Sequence, residues 1–204
     1  QASGGADALR AAGVDVRQVS STLCTALITP FAHRLRTGLP WITAKWAQTL
    51  DGYIATRTGH SQWISGERSR HLVHRERGRV DAILTGIGTV TADDPMLTAR
   101  GVRARRVATR IVVDPWAQLP LGSALVRTAP TTPVIVLCLP TALPDRIAAL
   151  RQRGVHVHSG SETTDRLNLT DHMKYLSAKH NIATVLVEAG PGLCTSLLKE
   201  HLIN

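Results

Sequence analysis

Aromatic side chains are scarce in this sequence: one Phe, two Tyr and four Trp among 204 residues. A packed interior must therefore be built from Leu, Val, Ile and Ala, which a 43% hydrophobic content allows. Cysteine is nearly as rare. Cys24, Cys138 and Cys194 lie far apart, and their odd number argues against a disulfide framework and for a reducing, cytoplasmic compartment. Neither Cys-x-x-Cys nor His-Glu-x-x-His occurs. His156 and His158 can share one face of a strand, but a third ligand is lacking, so no metal site is expected. No apolar run approaches the ~18 residues of a membrane span. No signal peptide is visible, although Gln1 is not a natural start and the true N-terminus can lie upstream.

What is abundant is positive charge. The chain carries 24 Lys and Arg against 15 Asp and Glu, a formal charge of +9. The cations are mostly arginines, gathered between Arg68 and Arg79 and between Arg100 and Arg110. Both runs are interleaved with Val, Leu and Ile, so both belong to folded structure. Three readings stay open for them: a solvated surface, capture of small phosphate ligands by guanidinium forks, and contact with a nucleic-acid backbone.

Along the chain, residues 1–38 read as a connector. It holds a short helix over 6–12, a strand over 14–19, and a helix over 22–36 that Pro30 should kink or break. Gly38 and Pro40 mark a domain boundary. Residues 39–204 are more regular. Strands are expected over 41–48, 80–84, 110–114, 134–139, 155–158 and 183–187. Helices are expected from a Ser65 N-cap to Gly78, and over 143–153, 165–180 and 193–201. Alternating strands and helices imply an α/β fold with a mainly parallel sheet.

Ligands of such sheets gather at the C-terminal ends of strands. Polar motifs occur at those places: Lys45 after the first strand, Gly86-Ile-Gly-Thr89 after the second, and Glu188-Ala-Gly-Pro-Gly192 after the last. A glycine turn feeding a helix N-terminus offers N–H groups to an anion, yet glycine also simply makes turns. Neither loop has the Gly-x-Gly-x-x-Gly spacing of a standard dinucleotide fingerprint.

Several blocks occur in a fixed order: Lys45-x-Ala47-x-Thr49-Leu-Asp-Gly52, Gly59-x-Ser61-x-Trp63-Ile-Ser65, Asp81-Ala-Ile-Leu84, Gly86-x-Gly88-Thr89-Val90-x-x-Asp93-Asp94-Pro95-x-Leu97-Thr98-x-Arg100, Arg110-Ile-Val-Val-Asp114 and Val187-Glu188-x-Gly190. On these blocks the chain, from about residue 39 onward, resembles the reductase domain of the bifunctional riboflavin-biosynthesis deaminase/reductase family. The resemblance implies a dihydrofolate-reductase-like fold with a mixed, mainly parallel sheet. It also implies NADPH-dependent reduction of the ribose of 5-amino-6-(5-phosphoribosylamino)uracil. By the same resemblance, Ala47, Trp63, Thr89, Asp93 and the segment Gly190, Pro191, Gly192, Leu193, Cys194, Thr195 and Ser196 contact the cofactor. Ser61, Arg77, Leu97, Arg100 and Glu188 contact the substrate, with Ser61, Arg77 and Arg100 as a phosphate clamp. Lys45 and Glu188 are the implied catalytic groups. Without the resemblance, Trp63 reads equally well as core, Arg77 as a helix C-terminal charge, Glu188 as a cap and Asp93 as a turn residue.

Residues 1–37 resemble the tail of the family's deaminase domain, but the zinc-deaminase signature of His-x-Glu with Pro-Cys-x-x-Cys is absent from the chain. The family's sheet continues beyond the equivalent of Asn204, so the C-terminal elements are expected to be missing here. Implied partners are a small phosphorylated pyrimidine and a second copy of the chain in a dimer, not nucleic acid or membrane. The alternatives are a related reductase of another pterin or pyrimidine, and a non-catalytic basic binding module.

Overall fold

A computed structural model of the chain describes residues 4–161 and 165–204. Six strands form one sheet: β1 (Trp41–Ala44), β2 (Ala82–Gly86), β3 (Thr109–Val113), β4 (Val134–Cys138), β5 (His156–Ser159) and β6 (Thr184–Val187). Their spatial order is β1-β6-β2-β3-β4-β5, and all five pairings are parallel. The antiparallel member of a mixed sheet does not occur among the described residues. Strand periodicity divides the core into two layers. Ile83, Val112, Val134 and Val136 point to one face. Their neighbours Leu84, Ile111, Ile135 and Leu137 point to the other.

The helices are α1 (Gly5–Ala11), α2 (Thr22–Thr37), α3 (Glu67–Arg77), α4 (Ile87–Asp93), α5 (Ala124–Arg127), α6 (Pro144–Gln152), α7 (Leu169–His180) and α8 (Pro191–Lys199). Four expectations are corrected. Residues 14–19 form no strand, because no neighbouring strand offers them a ladder. Pro30 lies inside an unbroken α2; the helix forgoes one backbone bond there and continues. The N-cap of α3 is Gly66, with no side-chain cap, so Ser65 does not cap it. The segment after β1 leaves the sheet at Lys45, four residues sooner than expected. Helices α4 and α5 are additional.

Candidate active site

A cavity of about 1470 Å³ opens where β1, β2 and β6 end. Parallel strands end on one side of the sheet, so three separate sequence blocks meet there. Lys45 follows β1; its backbone N–H donates to the Val187 carbonyl at 2.9 Å, and its half-buried side chain lines the cavity. Glu188 follows β6, and its N–H donates to the Leu84 carbonyl at 2.9 Å. Gly86 closes β2 and opens α4, on which Thr89 and Asp93 face the cavity.

Glu188 is already partnered. Its carboxylate accepts from Arg77 Nε at 2.6 Å and from a terminal Arg77 nitrogen at 2.8 Å. The other terminal nitrogen donates to the Thr98 carbonyl at 3.2 Å. The two side chains are only 13% and 9% exposed, so the bidentate pair is largely shielded from water. Arg77 is thus a placed group whose charge is balanced by Glu188. Arg100 and Ser61 are exposed at the same cavity. The three residues of the expected clamp therefore share one cavity, with Arg77 committed to Glu188.

Leu97 is buried in the core cluster and also lines the cavity. Its φ of 49° turns the chain between α4 and Arg100. Trp63 is 72% exposed, which excludes the core reading. Its ring lies 4.4 Å beneath the Arg70 guanidinium, a cation–π contact that steadies the ring as a wall. Ala47 lines the cavity beside it. The paired aspartates divide: Asp93 faces the cavity, whereas Asp94 caps α4 with φ 39° and accepts from Ala124 N–H at 2.7 Å.

At α8, Gly190, Pro191, Gly192, Leu193 and Ser196 line the cavity, but Cys194 and Thr195 do not. Helical spacing explains the split. Cys194 and Leu197, three apart, turn toward the sheet, and the Cys194 thiol donates to the Ala189 carbonyl at 3.6 Å. Burial raises its pKa. Thr195 faces solvent. Gly190 caps α8 without a side-chain bond, which leaves the first-turn N–H groups open. A Cβ on Gly88, Gly190 or Gly192 would meet no protein atom within 4 Å, and none of the three has a left-handed φ. Packing and conformation therefore do not demand glycine at these cavity positions.

The sequence reading missed His74 and Arg70. With Val73 and Arg77 they form one face of α3 at i, i+3, i+4 and i+7, all lining the cavity. That spacing was the available signal. His74 Nδ1 lies 3.2 Å from the Arg100 N–H and 3.1 Å from the Thr98 carbonyl. It ties α3 to the loop bearing Leu97 and Arg100. Desolvation, then Arg77, lowers its pKa; Arg100 acts the same way, while the Thr98 bond and Glu188 oppose it.

Other residues of the ordered blocks are structural. Asp81 Oδ2 accepts from the N–H groups of Ala183 and Thr184 and from the Thr184 hydroxyl, stitching β2 to β6. Arg110 is fully buried. It donates to the Thr128 hydroxyl at 2.7 Å and to the Thr132 carbonyl, and burial lowers its pKa to about 10. Asp114, also fully buried, accepts from Leu119 N–H at 2.7 Å, and burial raises its pKa. Among the described residues, no group of three His, Cys, Asp or Glu is placed to hold a metal ion, and no helix is long and apolar enough to cross a membrane.

Comparison with known proteins agrees with this architecture. The chain is 36% identical over 201 residues to the riboflavin biosynthesis protein RibD of Actinobacillus pleuropneumoniae, covering 98% of this chain and 53% of that protein. It thus spans about half the length of the curated relatives it matches. Among solved structures, Acinetobacter baumannii RibD, form 2, superposes with a TM-score of 0.80 at 29% identity, covering 99% of this chain and 54% of that one. A Thermotoga maritima diaminohydroxyphosphoribosylaminopyrimidine deaminase/5-amino-6-(5-phosphoribosylamino)uracil reductase gives 0.77 at 26%, covering 95% and 52%. The fold is the dihydrofolate-reductase-like α/β fold of these reductase domains. Residues 40–204 match the RibD C-terminal domain, and the chain belongs to that family.

Proposed function

We propose that this chain is an NADPH-dependent reductase of riboflavin biosynthesis, acting on the ribose of 5-amino-6-(5-phosphoribosylamino)uracil. The observation that carries this reading is that one cavity is lined both by glycines, the open α8 N-terminus, Thr89 and Trp63 and by Lys45, Ser61, Arg100 and the Arg77–Glu188 pair. The first group suits a dinucleotide, whose pyrophosphate fits free helix N–H groups and whose nicotinamide supplies the hydride. The second suits a polar, phosphorylated pyrimidine.

The chain's own residues then have distinct tasks. Arg100 and Ser61 hold the 5′-phosphate at the open rim. Arg77 fixes Glu188, whose carboxylate accepts from uracil N–H groups. Lys45 would hydrogen-bond the sugar oxygen, which takes up a proton as the C1′–O bond breaks and the glycosylamine opens to the imine; a bound nicotinamide would supply hydride to C1′ and water the proton to the nitrogen. Leu97 walls the site and excludes water. Catalysis by the protein is positioning and charge placement.

Tryptophan fluorescence titration with NADPH and NADH tests the cofactor half, since Trp63 lies in the cavity. Saturable NADPH binding is expected, and its absence ends this reading. Arg100→Ala should lower kcat/KM roughly ten- to a hundredfold, as loss of one charge-assisted contact worth about 1.5–3 kcal/mol implies. NADPH affinity should hold. An unchanged kcat/KM would remove the phosphate assignment.

A further inference from the structure

The two arginine runs of the sequence are only partly used by the cavity described above. α3 presents Arg70, Val73, His74 and Arg77 to that cavity. On its other side, His71 and Arg75, four apart, and Arg79 just past the helix end line a separate groove of about 720 Å³. The facing wall is the loop carrying Arg103 and Arg105, with Val102 and Ala104 between. Four arginines and a histidine, from segments about 25 residues apart in sequence, thus line one groove.

This arrangement is built by backbone packing. Arg105 N–H donates to the Gly78 carbonyl at 2.8 Å. A Cβ on Gly78 would lie 3.0 Å from the Ala104 Cα, so a side chain there would push the loop back by a few tenths of an ångström. Of the four arginines, Arg79 is paired, with Glu76 at 3.0 Å. Among the described residues no carboxylate lies within ion-pair distance of Arg75, Arg103 or Arg105. A surface that merely needs solubility mixes both signs of charge. Here the loop is fixed against the helix, and among the described residues Arg79 alone of the four arginines has an acidic partner.

We infer that this groove binds a small oligophosphate: a ligand with two or more phosphates in tandem, carried by a nucleotide or as inorganic polyphosphate. Guanidinium forks match phosphate oxygens, and the three unpaired arginines offer about three positive charges to a ligand, since Arg79 is already balanced by Glu76. The groove's volume suits a small molecule. Its lining has no Trp, Tyr or Phe, so it lacks the stacking platforms of single-stranded nucleic-acid binders. The groove and the reductase cavity lie back to back across one helix, as two sites.

Isothermal titration of the full chain at about 0.15 M salt with inorganic tripolyphosphate, ATP and AMP tests this. Tripolyphosphate and ATP should each saturate one site, and AMP should bind at least roughly tenfold more weakly. Tighter binding of ATP than of tripolyphosphate adds a nucleoside contact on Val102 and Ala104; equal binding makes the phosphates sufficient. Arg103→Ala/Arg105→Ala and, separately, Arg75→Glu should each weaken binding roughly tenfold or more, with unchanged thermal unfolding. Arg100→Ala, in the other cavity, should leave it within about threefold. The proposal is overturned by no saturation below roughly 1 mM, by equal affinity for AMP, or by groove variants that bind normally. A loss confined to Arg100→Ala also overturns it. Tighter, steeply salt-dependent binding of a short DNA duplex would assign the groove to nucleic acid instead.

Discussion

Leu137 on β4 and Leu27 on α2 are the same residue in opposite circumstances. Leu137 is 0% exposed and Leu27 is 82% exposed. The contrast extends to their surroundings. In the sheet, successive side chains enter core layers on either face, so nearly every residue of β2, β3 and β4 is buried. Helix α2 buries none of its residues. Leu23, Leu27, Phe31 and Leu35, each four residues on from the last, form a stripe along it that faces solvent. Hydrogen bonds from Arg34 and a ring contact from His33 join α2 to the body. Arg34 donates to the Ser177 hydroxyl at 3.0 Å, to the Ser177 carbonyl at 2.6 Å and to Asn181 Oδ1 at 3.1 Å. His33 meets Trp41 edge-on at 5.6 Å. An apolar residue type therefore says little about stability until its neighbours are known.

The largest expected effect comes from exchanging matched leucines. Leu137→Ala removes a side chain packed in the sheet's inner layer. It should cost about 2–5 kcal/mol, transfer plus cavity. Leu27→Ala should change stability by less than about 0.5 kcal/mol, because its side chain is already in water. Denaturant unfolding of the two variants measures both. Comparable losses would mean that α2 is covered in solution and would break the comparison.

An intermediate effect is expected at the tether. Arg34→Ala deletes all three bonds from α2 to α7. A net loss of about 1–2 kcal/mol follows if the charged donor's bonds keep their usual worth. The selective readout is limited proteolysis: cleavage within residues 22–38 should accelerate while the sheet's unfolding midpoint barely moves. Equal protection of α2 in wild type and variant would show that its apolar face, not Arg34, holds it.

The same contrast governs what the sequence made legible. Strands β2, β3 and β4 were readable because apolar runs such as Val134–Cys138 and Ile111–Val113 are buried on both faces, and that burial is written directly in residue type. The strand expected over 14–19 has alternating residues too, but a strand exists only where a partner supplies hydrogen bonds. Helix α4 was hidden by Gly86 and Gly88, which read as a turn, and α5, at four residues, is too short to display a helical period. At the site, the ordered blocks led to the residues ending β1, β2 and β6. They did not show that Glu188 would be paired with Arg77, which depends on a contact between residues 111 apart. Nor could they separate Asp81, Arg110 and Asp114, which hold strands and turns, from residues that face the cavity. Both kinds sit in the same motifs.

The smallest and most discriminating effect concerns two histidines whose pKa values are both lowered from 6.5. His33 is shifted first by desolvation and then by Arg36; His74 is shifted first by desolvation and then by Arg77. For a histidine, a folded pKa below the unfolded one means that the unfolded chain binds more protons between the two values. Stability attached to each group is present above about pH 6.5 and falls as pH drops through that window toward the folded pKa. Equilibrium unfolding alone would sum the two contributions, and those of His156 and His180, which are lowered as well. Imidazole proton NMR resolves them one by one. His74 is held by the body itself, against the Thr98–Arg100 loop, so its pKa should be the same in wild type and Arg34→Ala. His33 is desolvated only where the end of α2 rests on β1 at Trp41, and Arg34 is the next residue in the chain. In Arg34→Ala its pKa should therefore rise toward 6.5 as that end loosens. If His33 stays as low as before, the helix end is docked by its ring contact and not by the arginine. The boundary between firm body and tethered helix would then lie before His33, not after Gly38.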